Sequence, residues 1–403
     1  MWLLLTQMSS YVFPLLTLPY LIRVLGMDNY GVYALFLVYI QYFLLLVDFG
    51  YALTATRETV LAKDDKALLS KVFFTTVFAK LLLCVVGVII ATVVLSIYGD
   101  SKLYILALIA FFSVIGNALF PVWFFQGLEK MKYLSIVSVL SRTLVLLSTV
   151  IFVKTKSDMS YALAIYSLTF VFPSIILNIK IWKMKVINFY IPTVNDVLQS
   201  LKSSFPLFVS NFAISFYTNF NAILLSRYEP VNIVGSYFSA DRVRLAAQNI
   251  LTPVSQAIYP TVCDSTKKGN LTQLIKYGAI FIGFGCTISL GILLLGKPVG
   301  LIYFGKDNYL AAHYFQLMFP IIGIVSIAMV FGHWFMAGNG HNKQLSYIYT
   351  FFSIVHLLYA FPFVKHMGAV GMIYSSILTQ GLIALSMVVF FIEKKRRNAL
   401  NAK

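Results

Sequence analysis

The chain has 403 residues, of which 60% are hydrophobic and only 11% charged, and its net charge is +17. A soluble chain carries about 25% charged residues, so lipid, not water, must solvate most of this surface. The positive charge is too dilute for a nucleic-acid footprint, and the three cysteines (Cys84, Cys263, Cys286), far apart and with no CxxC, read as small buried apolar residues.

A membrane helix needs about 20 mainly apolar residues. Twelve segments qualify: 2–22, 30–52, 72–97, 103–126, 134–153, 160–181, 204–226, 233–259, 273–295, 309–336, 345–364 and 369–392. The first has neither a basic lead nor a small-residue cleavage site, so it is expected to be a retained membrane helix. Pro14 and Pro19 fall inside it, Pro206 early in the seventh segment, and Pro253 and Pro260 late in the eighth. Proline removes a backbone donor and bends a helix; such bends are either fixed packing geometry or points that change as the halves rock. The longest connection runs from Ile181 to Ser203. Its later part, Pro192-Thr193-Val194-Asn195-Asp196-Val197-Leu198-Gln199-Ser200-Leu201, opens with proline and capping residues and then spaces apolar positions helically. That predicts a short amphipathic helix on the inner membrane face.

Lysine and arginine set the orientation. With both termini cytoplasmic, the inner connections and tail hold 19 of the 31 Lys and Arg residues and the outer connections 8; the remaining four, Lys80, Arg142, Arg242 and Arg244, lie within spans. The positive-inside rule selects that orientation. The outer connections are mostly 4–13 residues long, too short for an external catalytic domain.

Two internal echoes suggest two related halves. Trp123-Phe124-Phe125-Gln126-Gly127-Leu128-Glu129-Lys130-Met131-Lys132-Tyr133-Leu134-Ser135 reappears 211 residues later as Trp334-Phe335-Met336-Ala337-Gly338-Asn339-Gly340-His341-Asn342-Lys343-Gln344-Leu345-Ser346. Arg23 followed by Gly31-Val32-Tyr33 reappears 204 residues later as Arg227 followed by Gly235-Ser236-Tyr237. Paired six-helix halves are a common transporter plan. The expected organisation is a six-helix bundle over 1–181, a cytoplasmic linker with its amphipathic helix over 182–203, a second six-helix bundle over 204–392 and a basic cytoplasmic tail over 393–403.

Gly291 to Pro298 matches most of a P-loop, but proline stands where Ser or Thr should hold magnesium and the run sits in a membrane helix, so direct ATP use is unsupported. The five histidines lack metal-ligand spacing; His356, mid-helix, reads as a packed or lumen-facing polar residue in a position to titrate. No metal site, cofactor or catalytic triad emerges, which points away from an enzyme.

Ionisable residues inside the spans are the main site signal, because each charge at mid-membrane costs about 2.5–3.5 kcal/mol. Lys80, Arg142, Arg242 and Arg244 must line an interior, pair or snorkel. Asp241 and Arg244 are three apart, share a helix face and are placed to neutralise each other; Arg242 then points elsewhere as a free cation. A cationic cavity for an anionic substrate, phosphate above all, suits arginine's fork. Asp48 lies about two turns deeper than the Arg57-Glu58 pair. Asn117, Asn211, Asn219 and Asn221 give helices four and seven polar faces that suit sugar hydroxyls or helix–helix bonds.

The run Pro14-Leu15-Leu16-Thr17-Leu18-Pro19-Tyr20-Leu21-Ile22-Arg23-Val24-Leu25-Gly26, then Tyr30-Gly31, Asp48-Phe49-Gly50 and Thr56-Arg57-Glu58, resembles the N-terminal signature of the polysaccharide-transport family, in particular bacterial O-antigen flippases (Wzx type). The family belongs with lipid II flippases and MATE drug exporters in the multidrug/oligosaccharidyl-lipid/polysaccharide exporter superfamily. One departure is the start, where Trp2 opens the apolar run without the family's short polar lead. The resemblance implies an all-α integral membrane protein of the bacterial inner (cytoplasmic) membrane. It implies about 12 transmembrane helices in two pseudo-symmetric six-helix bundles around a central cavity that opens alternately to either side. The substrate it implies is an oligosaccharide repeat unit on undecaprenyl pyrophosphate, the partners membrane lipid with a polysaccharide polymerase and a chain-length regulator.

The expectation is therefore a flippase in which Lys80, Arg142, Arg242 and Arg244 hold diphosphate or acidic sugars, with Arg23 and Arg57 at the outer and inner ends of the path. Asp48 and Asp241 would pair these cations or couple an ion. A cation-coupled drug exporter of the same fold would want acidic residues in the cavity, where cations here outnumber carboxylates. A membrane glycan polymerase would need a large outer loop or a carboxylate constellation, and neither is present.

Overall fold

The structure, a computed structural model, describes the backbone of residues 2–98, 101–267 and 270–401 and the side chains of residues 8–97, 103–209, 211–212, 220–266 and 270–396. Its described residues are helical, with no strand among them. In chain order the helices are α1 (Trp2–Asp48), α2 (Tyr51–Ala62), α3 (Lys66–Tyr98), α4 (Ser101–Leu119), α5 (Val122–Gly127), α6 (Met131–Phe152), α7 (Met159–Lys183) and α8 (Val194–Tyr228). Then follow α9 (Val231–Asn249), α10 (Leu251–Lys267), α11 (Thr272–Phe304), α12 (Tyr309–Leu317), α13 (Pro320–Ala328), a π-helical segment (Met329–Ala337) and α14 (Asn342–Asn401). The chain divides into two compact units, Met1–Phe216 and Tyr217–Lys403.

Among the described residues eight segments are long and apolar enough to cross a membrane, which makes this a multi-pass membrane protein. Two of them, Met8–Ala62 and Asn342–Arg396, have 55 residues each. An unbroken helix of that length would run about 80 Å against a hydrocarbon core of about 30 Å, so each must turn back. Both do so at a glycine: Gly26 (φ 74°) in α1 and Gly368 (φ 57°) in α14. Left-handed backbone of this kind is open to glycine at little cost. At Gly368 a side chain is also barred by contact, since the Glu229 carboxylate lies on its bare Cα, where an added Cβ would fall 1.6 Å from the Glu229 oxygen.

Several boundaries differ from the sequence expectation. The connection expected at 23–29 is helical apart from Gly26. The span expected at 103–126 breaks before Pro121, which cannot continue a helix hydrogen-bonded from α4, and α5 begins at Val122. The span expected at 309–336 is three pieces, the second starting with Pro320 at its first turn. Pro253 lies in the first turn of α10, where its missing N–H is not needed. The amphipathic stretch at 192–201 is no separate helix. It runs unbroken into α8, because no glycine or proline intervenes before Pro206.

The start of α8 is closed by a reciprocal capping box. Thr193 Oγ1 accepts the Asp196 N–H at 3.2 Å and the Asp196 carboxylate accepts the Thr193 N–H at 3.0 Å. The same carboxylate takes the Tyr190 hydroxyl at 2.9 Å and lies 2.7 Å from Lys71 Nζ of α3. This lock fastens the linker to the first unit. The Lys71 ammonium, then the Thr193 N–H, hold the Asp196 carboxyl well below its ordinary 3.8. On the opposite connection Asp158 is also held low, by the N–H groups of Lys154 and Thr155 at 2.9 and 2.8 Å.

The repeated tryptophan segments fold alike. In the first unit Leu128 N–H donates to the Phe124 carbonyl, Glu129 to Gln126 and Lys130 to Phe125, at 3.0, 3.0 and 2.9 Å. In the second, Asn339 donates to Phe335, Gly340 to Ala337 and His341 to Met336, at 3.1, 3.1 and 2.8 Å. Every donor and acceptor is displaced by 211 residues, the echo's own offset. The positive-φ position matches too, Glu129 at 58° and Gly340 at 81°. Trp123 and Trp334 are 2% and 0% exposed, so each turn hangs from a buried indole.

Two measurements test these local structures. Glu129, exposed and left-handed, should gain on the order of 1 kcal/mol when changed to Gly, and Gly340→Ala should lose a similar amount; thermal unfolding of the purified protein in detergent reads both, and equal signs would contradict the shared turn. The Asp196 lock should persist through neutral and mildly acidic pH. A carboxyl depressed by folding adds stability above its unfolded pKa, and that stability is lost only as pH falls through the lower folded value. Protease cleavage at 186–192 should therefore stay slow until well below pH 3.8, whereas Asp196→Asn should be cut readily at pH 7.

Candidate functional site

The first unit gathers charge around the joint between α1 and α2. Asp48 ends α1, and Phe49 (φ 47°) and Gly50 (φ 86°) turn the chain into α2. The early turns of α8 lie directly on this joint. A Cβ on Gly50 would meet Leu207 Cβ at 2.8 Å, the Thr54 and Ser204 hydroxyls are 2.7 Å apart, and the Phe49 and Phe208 rings stack at 4.5 Å. Beside it Lys80, on α3 and only 2% exposed, places Nζ 3.9 Å from the Asp48 carboxylate and donates to the Asn117 carbonyl at 3.4 Å. The cation beside Asp48 is Lys80. Asn117 contributes its backbone oxygen rather than its amide.

Other predicted residues of this unit stand on separate helices. Arg142, half-buried on α6, donates to the hydroxyl of Ser9 on the first arm of α1. Arg23 is exposed just before the Gly26 break, and Arg57 is exposed on α2 beside half-buried Glu58. Asn211 is half-buried on α8, and the side chain of Asn219 lies outside the described residues.

In the second unit α9 carries a compact ionic clip. Arg244 donates from Nε to Asp241 Oδ1 at 2.8 Å, its Nη2 lies 2.7 Å from the same oxygen, and Nη1 donates to Gln248 Oε1 at 2.5 Å. Spacings of three and four residues put all three side chains on one helix face. Arg242 sits on a different face, exposed, with no hydrogen bond or ion pair among the described residues. Its planar fork of donors is open to a bidentate oxyanion.

Asn221 does not present a free amide. Its Oδ1 lies 2.8 Å from His356 Nε2 and its Nδ2 donates to Ser376 Oγ at 3.3 Å. His356 is fully buried, and its Nδ1 lies 2.6 Å from Thr379 Oγ1. The partners come from α8, α14 and the continuation of α14 beyond Gly368, so no local motif announces them. The available signal was a histidine in an apolar helix facing a later helix with Ser375, Ser376 and Thr379 at helical spacing.

The Asp241–Arg244 clip generates a double-mutant test. Removing one partner of a largely buried pair is costly, about 3–5 kcal/mol at full burial and less here, where Asp241 is 26% exposed. Asp241→Ala should thus lower the unfolding temperature in detergent more than Asp241→Ala/Arg244→Leu does. A double variant less stable than the single would contradict mutual neutralisation.

Comparisons with known proteins add to this geometry. A family model described as "Polysaccharide biosynthesis protein" matches residues 1–266. A protein of Shigella dysenteriae named "Putative O-antigen transporter" is 34% identical over 386 residues, covering 96% of this chain and 97% of its own. A protein of the same name from Escherichia coli (strain K12) is 31% identical over 396 residues, covering 96% and 95%. Among solved structures, the lipid II flippase MurJ in its inward closed conformation superposes with a TM-score of 0.75 at 16% identity, over 97% of this chain and 87% of that one. An inward-facing multidrug resistance MATE family transporter of the MOP superfamily gives 0.73 at 16% identity, over 97% and 96%. These two share the fold.

Proposed function

The chain belongs to the polysaccharide biosynthesis protein family, and on that premise we propose that it is a flippase for undecaprenyl-pyrophosphate-linked oligosaccharide, the repeat unit of an O-antigen or similar surface polysaccharide. It moves that lipid from the cytoplasmic to the periplasmic leaflet of the bacterial inner membrane by alternating access, without using ATP directly. The observation that carries this is the near full-length likeness to two proteins named as O-antigen transporters. The chemistry agrees with it. Arg242, exposed and without a partner among the described residues, offers a fork for a diphosphate oxygen. Lys80, Arg142 and Arg244, each held by a named neighbour, are the other candidate cations for an anionic substrate. Arg23 and Arg57 mark the two ends of the path. The prenyl tail stays in lipid, where burial of its methylenes is favourable.

The architecture that goes with this function has twelve crossings. The eight apolar segments hold ten membrane-length arms once α1 and α14 are divided at Gly26 and Gly368. The stretches 204–226 and 233–259 supply the other two. Both termini are cytoplasmic, from the distribution of Lys and Arg. The two bundles are 1–181 and 204–392, joined by the linker 182–203 and followed by the tail 393–403. A polymerase and a chain-length regulator would act on the delivered lipid.

Deleting the gene should leave the lipid-linked oligosaccharide on the cytoplasmic leaflet and abolish surface polysaccharide, both restored by the intact gene; the sidedness of the lipid is read with a membrane-impermeant glycan probe. Unchanged lipid-linked glycan with altered drug tolerance would sink the proposal in favour of an exporter, and single units already on the outer leaflet would favour a polymerase. Arg242→Ala should cut transport at least tenfold at normal protein levels, the loss of a charged hydrogen bond of about 1.5–3 kcal/mol; full transport would remove Arg242 from the substrate site.

A further inference from the structure

The buried polar cluster around His356 has a hydrogen-bond order that can be read atom by atom. The Ser376 hydroxyl donates to the Met372 carbonyl at 2.9 Å, so toward Asn221 its oxygen can only accept. The Asn221 Nδ2 supplies that hydrogen at 3.3 Å, which turns Asn221 Oδ1 toward the imidazole. An acceptor 2.8 Å from Nε2 requires the ring hydrogen on Nε2. In the neutral ring Nδ1 is then a bare acceptor 2.6 Å from Thr379 Oγ1, and the Thr379 hydroxyl, which donates to the Ser375 carbonyl, serves it only by rotating. Thr379 in turn accepts from the Tyr359 hydroxyl.

The Thr379 hydroxyl has a second acceptor. Its oxygen is 2.7 Å from the Ser375 carbonyl, one helical turn back. If Nδ1 gains a proton it becomes a donor to Thr379 Oγ1, and the Thr379 hydrogen rotates to Ser375. Tyr359 still donates to the same oxygen. Both ring nitrogens thus keep a partner in either protonation state, and the two states differ by the rotation of one hydroxyl.

Tyr237 of α9, 5% exposed, is a neighbour of Ser376 and Asn221, and Asp241 follows one turn later on the same helix, paired with Arg244. Among the described residues the groups around the ring include Tyr359 from its own helix, the neutral Ser375, Ser376 and Thr379 from the second arm of α14, and Asn221 from α8, with Tyr237 of α9 beyond them. Asp241 and Arg244 are the charges behind them.

We propose that this cluster is a proton-binding site, in which His356 Nδ1 binds a proton, Thr379 reverses its hydroxyl to serve either state, and Asn221 holds the hydrogen on Nε2. In a flippase this is where a proton gradient enters the cycle. That use rests on the function proposed above, whereas the binding does not, so the test reads binding directly.

The experiment is nitrogen NMR of the full-length chain, 15N-labelled at its five histidines, in micelles between about pH 4 and pH 9. One ring should be the Nε2–H tautomer at high pH and convert to imidazolium as pH falls, and that signal should vanish in His356→Gln. Thr379→Val should lower its midpoint by on the order of half a pH unit or more, because the bond from the charged ring is the stronger of the two lost. Asn221→Asp should raise it by about one unit or more, by placing a carboxylate on Nε2–H. These opposite shifts also identify the signal if His356→Gln fails to fold. A His356 ring that stays neutral to pH 4 while others titrate would overturn the proposal, as would a signal that responds to sodium at fixed ionic strength and not to pH.

Discussion

The fold rests on one constraint: inside lipid every polar group must be satisfied by the protein itself. Helices meet that demand for the backbone, and most of this chain is accordingly helix. Side chains meet it one at a time. Lys80 finds Asp48 and the Asn117 carbonyl, Arg142 finds Ser9, Arg244 finds Asp241 and Gln248, and His356 finds Thr379 and Asn221. Each of these is also a place where two helices, or two turns of one helix, are held in register. The charges that mark a candidate substrate path are thus part of what positions the helices around it.

The same constraint explains where the chain turns. A helix end in or near lipid leaves carbonyls and amides without partners, so reversals are short and heavily bonded. Glycine makes the break at Gly26 and Gly368, and a capping box makes the start of α8. The Asp48-Phe49-Gly50 joint is covered by α8, whose Ser204 reaches Thr54. Linker, joint and first intramembrane ion pair are consequently one mechanical neighbourhood of the first unit.

Much of this was legible in the sequence, and the exceptions have physical causes. Helical arms of membrane length follow from apolar runs, and the Asp241–Arg244 pair follows from a spacing of three. Lys80 and Asp48 are 32 residues apart on different helices, so no local rule joins them. Asn221, for which sugar hydroxyls or helix–helix bonds were both open, bonds to His356, a partner 135 residues on. The π-helical segment Met329–Ala337 carries no breaker or periodic pattern that marks it off, since it is apolar apart from His333. The run at 192–201 reads as a separate surface helix by amphipathicity, and only the lack of a breaker before Pro206 tells that it continues into α8.

The matched tryptophan turns have an evolutionary consequence. Three backbone bonds and a positive-φ position recur at a spacing of 211 residues, although Glu129 occupies in one copy what Gly340 occupies in the other. What the two copies hold in common is a path of the main chain and the buried indole that anchors it. The residues along that path have drifted, even to one that sits there under strain. The turn is in that sense an interchangeable part, and a segment moved from one half into the other should carry its bends with it.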